Sequence, residues 1–291
     1  MFDVQAADEL LIEATTKLLW LRQQDDWAKE LPSRCPPILW FGNARSSKPK
    51  VLTIGANPSR WEYLDESCRE NLAKVKASGD ESLLRYLEPP KNRFRVLGAS
   101  SESLEQVVKD RGLRDKIIQG YNDYFLECRN PYQKWFGKKD GYRVEGFLRG
   151  LGASFYDAQE MQYQAIHFDL LPFATLSDFK NLEETAADDL FTSEWAKRTV
   201  AKLVCLLQPE TVIAFGRTNV DCFAEHIDTS VHCLSWIPHG AASYQIGKAE
   251  ELKIAFVGLS VNLGNPRGFD SAGLRAFGSH VGSLMRQRGF V

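Results

Sequence analysis

Three short stretches place proline and glycine beside amide, carboxylate or guanidinium side chains, each directly after an apolar run. They are Gly55-Ala-Asn-Pro-Ser59, Asp169-Leu-Leu-Pro172 and Asn262-Leu-Gly-Asn-Pro-Arg-Gly268. Proline stiffens such a loop and removes a backbone donor, while glycine lets the chain approach a ligand closely. Asn57, Asn262 and Asn265 bring neutral amides that donate and accept. Asp169 brings a carboxylate that only accepts when ionised. Together they suit the orientation of a water or a polar ring. Taken singly, each is also ordinary turn chemistry, with Asn57 capping its own backbone. Asp169 alone would equally cap the following segment or pair with Arg149 or Lys180.

The elements that carry these stretches follow from apolar patterning. Short buried strands are expected over 50–55, 163–171, 211–215 and 252–257, each ending at a glycine, a proline or a polar loop. Helices are expected over 5–24, where Leu11, Ala14, Leu18 and Leu21 recur at three- and four-residue spacing, and over 143–152. Further helices fall at 193–207, from about 218, and after a cap at Asp270 or Ser271 to about 288. Alternating strands and helices predict a three-layer α/β/α domain with a four-stranded, mainly parallel central sheet. In open sheets of this kind ligands bind beyond the carboxyl ends of the strands, where all three stretches fall. One domain over 1–291 is expected, with a helical insertion at about 65–150 over one end of the sheet.

Composition narrows the class. The chain has 291 residues, 44% hydrophobic and 25% charged, as in an ordinary globular protein. No apolar run reaches the roughly 18–20 residues needed to span a bilayer. Asp3, Asp8, Glu9 and Glu13 break up the start, so no leader is read there and a cytoplasmic, membrane-free monomer is expected. Six scattered cysteines fit reduced thiols. A net charge of −2 argues mildly against a dedicated nucleic-acid binder, although a local basic patch suffices for a small footprint. No cofactor or metal is expected. Cys222, His226, His232, Cys233 and His239 crowd together without the spacing of a zinc site, and neither a P-loop nor a dinucleotide fingerprint occurs.

Read in order, the pieces resemble the uracil-DNA glycosylase superfamily. Val51-Leu-Thr-Ile-Gly-Ala-Asn-Pro-Ser59 is similar to the first motif of its mismatch-specific and single-strand-selective branches. Asn265-Pro-Arg-Gly268 is similar to the second motif, with Arg267 in place of serine. Phe168-Asp-Leu-Leu-Pro-Phe173 stands where the family has its base-reading strand, and 211–223 resembles the third strand and following helix. The likeness covers roughly 50–60 and 160–288, whereas 65–150 matches poorly.

The resemblance implies a metal-independent DNA glycosylase that hydrolyses the N-glycosidic bond of a flipped base. Asn57 would position the water, and Asn262 or Asn265 would help stabilise the leaving base. Gly55, Ala56 and Asp169 would contact the base, and Ser59, Arg267 and Gly268 the DNA. Arg267, Arg275, Arg286 and Arg288 would form the basic patch. The family supplies an aromatic platform from the region holding Tyr124, Phe125, Tyr132, Trp135 and Phe136, of which Phe125 is the choice. Asp169 departs from the family's usual asparagine. It implies a base presenting amino donors, or a protonated carboxyl, rather than uracil. The second loop also lacks the His-Pro-Ser of many members. The alternatives are a non-catalytic homologue binding nucleic acid or a free base or nucleotide, and an unrelated small-molecule hydrolase.

Overall fold

The structure is a computed structural model, and it describes residues 2–88, 97, 103–127, 133–137, 141–156, 160–178, 181–182, 190 and 193–290. The chain is α/β, built on one mixed sheet. Its strands are β1 (Lys50–Gly55), β2 (Ala153–Ser154), β3 (Tyr163–Asp169), β4 (Pro209–Phe215), β5 (Ile237–His239), β6 (Ala242–Ala249) and β7 (Ile254–Leu259). They lie in the order β2-β3-β1-β4-β7-β6-β5.

The four expected strands form the contiguous centre, β3-β1-β4-β7, and all run parallel. β1 and β3 are buried almost throughout, as strands covered on both faces must be. The four-stranded expectation is corrected to seven. β2 adds a short parallel edge, and β6 and β5 pair antiparallel beyond β7. These three escape an apolar-run search for physical reasons. β2 has two residues, β5 carries Pro238 at a sheet edge where a missing donor is tolerated, and β6 mixes Gln245, Gly247 and Lys248 among its apolar positions.

Helices begin where side-chain oxygens cap them. Asp3 accepts from Gln5 and Ala6 N–H to start Val4–Leu21, Ser193 accepts from Ala196 N–H to start Glu194–Leu207, and Asp270 accepts from Gly273 N–H to start Ser271–Gln287. Val144–Leu151 stops at Gly152, whose φ of 92° is left-handed. The N-terminal helix ends at Leu21, three residues earlier than the pattern suggests, before a turn into the short helix Asp25–Ala28. It buries Leu10, Leu11, Ala14, Leu18 and Leu21.

The insertion splits in two. Trp61, Leu64, Cys68, Val75 and Leu84 make a small separate core with Leu176. The helix Arg111–Glu127 instead sends Tyr121, Tyr124 and Phe125 into the main core. The next helix, Gln133–Phe136, lays Trp135 and Phe136 against His167 near the end of β3. Among the described residues, no helix is long and apolar enough to cross a membrane.

Candidate functional site

Parallel register assembles the heart of the site. Thr53 of β1 sits opposite His167 of β3, and Gly55 sits opposite Asp169. His167 and Asp169, two apart on one strand, share a face. Thr53 Oγ1 lies 2.9 Å from His167 Nδ1 and 3.4 Å from the Ile166 carbonyl. Nε2 lies 3.3 Å from Asp169 Oδ1. Both nitrogens of the ring are thereby engaged, Nδ1 by Thr53 and Nε2 by Asp169. His167 and Asp169 are only 2% and 4% exposed.

Gly55 makes this pair possible. A methyl there would overlap Asp169 Oδ1 and come within 3.0 Å of His167 Nε2. The glycine is required by close approach rather than by its backbone angles. Beyond the strand ends, Leu170 N–H donates to Gly55 O at 3.0 Å and Leu171 N–H to Ala56 O at 2.9 Å. The first two loops are thereby knitted into one ledge.

Asn57 is held on that ledge by its amide nitrogen. Nδ2 donates to Thr175 Oγ1 at 2.9 Å and to Phe173 O at 3.4 Å. Thr175 spends its own proton on Ser177 O at 2.8 Å, so its oxygen must accept. This fixes which end of the Asn57 amide is which and leaves Oδ1 as a spare acceptor. Below, Glu30 accepts from Ser177 N–H and Oγ at 2.8 and 2.9 Å, bracing the turn that carries Thr175.

These residues border a cavity of about 190 Å³ lined by Phe41, Gly55, Ala56, Asn57, Pro58, Ser59, Glu62, Trp135, Phe136, His167, Asp169, Asn219 and Asn262. Six residues expected from the sequence therefore meet in one hollow: Asn57, Asn262, Gly55, Ala56, Asp169 and Ser59. Asn262 is exposed, and its side-chain carbonyl caps Gly264 N–H at 2.9 Å, leaving its NH₂ as a donor. Asn265, Arg267 and Gly268 are exposed on the same loop and do not line the cavity.

Phe125 is corrected. It is 7% exposed, stacks on Phe155 at 4.6 Å and packs edge-on to Tyr124 and Phe136, outside the cavity lining. The aromatic wall is made by Phe41, Trp135 and Phe136 instead. Trp135 also spans to the second loop, because Gly264 presses its backbone against the indole and no side chain fits there. Arg143 Nη1 donates to Gly264 O at 2.8 Å and fixes that contact. Tyr132 and Lys180 lie outside the described residues. Arg149 pairs with Glu145 at 3.0 Å rather than with Asp169.

The basic patch is also corrected. Ser271–Gln287 has 17 residues and so runs for about 25 Å at the α-helical rise. Arg286 acts on Tyr163, the first residue of β3, and Arg288 Nη1 reaches Ile246 O at 3.4 Å. Arg286 thus sits at the end of the sheet away from Arg267, and Arg288 reaches back to the middle of β6. Sequence spacing along a helix does not make one patch when the helix spans the domain.

Sequence reasoning missed four of the lining groups. His167 was legible in principle, being two residues before Asp169 on a strand. Glu62 is 1% exposed and lines the cavity, with Tyr124 Oη donating to both its oxygens at 3.1 Å. Neither it nor Phe41 carries a sequence signal, because Glu62 arrives on a short helix and Phe41 on a loop. Asn219, whose Nδ2 donates to Phe215 O at 3.0 Å, is presented by the helix Arg217–His226. Among the described residues no group of three or more His, Cys, Asp or Glu is placed to hold a metal ion. The chain matches no protein-family model, no curated protein and no solved structure.

Proposed function

We propose that this chain hydrolyses the N-glycosidic bond of a modified base extruded from DNA, on a divergent fold of the uracil-DNA glycosylase kind. One observation carries the reading: Asn57, Asp169 and Asn262, from three separate strand ends, border a single cavity with an aromatic wall. Its 190 Å³ lies below the roughly 300–1,000 Å³ of sites for drug-sized molecules. An apolar cavity of roughly 150 Å³ accepts a benzene ring. The hollow thus suits a base, with any attached sugar and phosphate lying outside it.

Asn57 Oδ1, the acceptor left spare by the Thr175 anchor, holds the attacking water. An amide cannot take the water's proton, and the buried carboxylate of Glu62 receives it in the same cavity. Phe41, Trp135 and Phe136 stack against the base, and Asp169 reads its edge. The exposed loop 262–268 lies against the backbone of the nucleic acid, with Arg267 on a phosphate.

The test is a base-release screen over oligonucleotides carrying deaminated and alkylated bases. Asn57→Ala should lower release by roughly a hundredfold or more, the scale for losing one preorganised polar group at a reacting centre, while the chain stays folded. Release unchanged in that variant would overturn the assignment of Asn57. A second reading, binding of a free base or nucleotide without catalysis, is favoured by the net charge of −2 and by the dispersal of the terminal arginines. Ligand binding with every glycosidic bond left intact would establish it.

A further inference from the structure

Among the described residues, the lining of the cavity contains two carboxylates, Asp169 and Glu62, and neither lysine nor arginine. Asp169 Oδ1 is already engaged by His167 Nε2 at 3.3 Å. Among the described residues its Oδ2 has no hydrogen-bond partner, although the residue is only 4% exposed and lines the cavity. Water reaches that oxygen through the cavity, so a ligand that fills the hollow and expels the water has to supply a donor or a positive charge in its place. The same cavity is lined by Phe41, Trp135 and Phe136, and aromatic ring faces attract cations.

From this we infer that the cavity selects a positively charged heteroaromatic base, such as an N-alkylated purine or pyrimidine, over a neutral base such as uracil. The inference rests on the base-excision reading above and supplies its substrate class. Chemistry agrees with electrostatics here. When a neutral base leaves, negative charge develops on it, and two carboxylates would oppose that charge. When a cationic base leaves, the C1′–N bond breaks and its electron pair neutralises the ring. The water oxygen forms the new bond to C1′ and its proton passes to Glu62. No group is then needed to stabilise a leaving anion. That matches a second loop that offers only the exposed amide of Asn262.

Two measurements on the full chain test this separately from catalysis. First, the affinity for 1-methyladenosine, cationic at neutral pH, is compared with that for adenosine by calorimetry. At least tenfold tighter binding of the cation is expected, and Asp169→Asn should erase most of that preference. Second, release of N7-methylguanine and N3-methyladenine from oligonucleotides is compared with release of uracil and hypoxanthine. The alkylated purines should be released at least tenfold faster.

Preference for the cation in both assays supports the whole scheme. Preference in binding with no release from any oligonucleotide keeps the inference and removes the hydrolase reading. Release of uracil without preference for the cationic nucleoside keeps the hydrolase reading and overturns the inference. Absence of both overturns both. Should Asp169→Asn fail to fold, the wild-type comparison of the two nucleosides decides alone.

Discussion

Two buried acids at opposite ends of β3 have been given opposite treatment. Glu145 is fully buried beside the start of the strand, where Ser154 Oγ donates to it at 2.6 Å, Phe155 N–H at 3.0 Å and Arg149 Nε at 3.0 Å. Both of its oxygens are engaged. Asp169, the strand's last residue and roughly 20 Å from its start at the β rise, has one oxygen engaged by His167 and the other without a partner among the described residues, on a cavity. The first carboxylate is satisfied by the fold, and the second is left for something else. In a chain with many buried polar groups, an unmatched oxygen on a hollow is a better pointer to function than burial or charge alone.

The contrast is open to being broken by mutation. The largest effect is expected from Gly55→Ala, whose new methyl displaces Asp169 from its seat against β1. Base release should fall by roughly a hundredfold, with about 1–3 kcal/mol lost in urea unfolding, as for other forced insertions into packed interiors. Wild-type activity in this variant would show that the position of Asp169 does not matter.

Glu145 should affect stability and leave the chemistry alone. Burial pushes its carboxyl up to about 7 from 4.5, against the opposing pull of Ser154, Phe155 N–H and Arg149. Between those two values the unfolded chain has released a proton that the folded chain still holds. This group's contribution is therefore whole below pH 4.5 and is lost as pH rises through about 7. The loss is on the order of 3 kcal/mol. Urea midpoints taken at pH 5 and pH 8 read the slope, and Glu145→Gln should flatten it without altering turnover of the folded fraction.

A smaller change should follow from Thr175→Val, which removes the acceptor that orients Asn57. Turnover should fall about tenfold while the fold loses about 1 kcal/mol for the hydrogen bonds, and KM should stay near the wild-type value. An equal rise in KM would mean that Thr175 serves binding instead. Smallest of all, Arg267→Ala should weaken DNA binding a few-fold and reduce the salt slope by about one, with single-turnover rates at saturating DNA unchanged. A loss of the chemical step there would bring the second loop into the catalytic centre, which its exposure does not suggest.

Those expectations follow from parts of the molecule that differ in how readable they were. The four central strands appeared as apolar runs because a strand buried on both faces carries mostly apolar side chains, and the caps at Asp3, Ser193 and Asp270 are local chemistry. Asn57, Asp169 and Asn262 stood out because polar side chains beside proline and glycine at a strand end are conspicuous. Phe125 was misread because all the rings of 124–136 look alike in sequence. Only packing decides that Phe125 turns to Phe155 while Trp135 turns to the cavity.

Sequence alone, then, determined the central parallel strands, the helix starts and the polar strand ends, since each depends on residues within a few positions of one another. Tertiary structure decided the rest. Parallel register set Thr53 against His167 and Gly55 against Asp169, pairing residues more than a hundred positions apart. Packing of short helices and a loop brought Glu62, Trp135 and Phe41 around the same hollow. Charge and shape at a site are sums over distant chain segments, and no local pattern carries that sum.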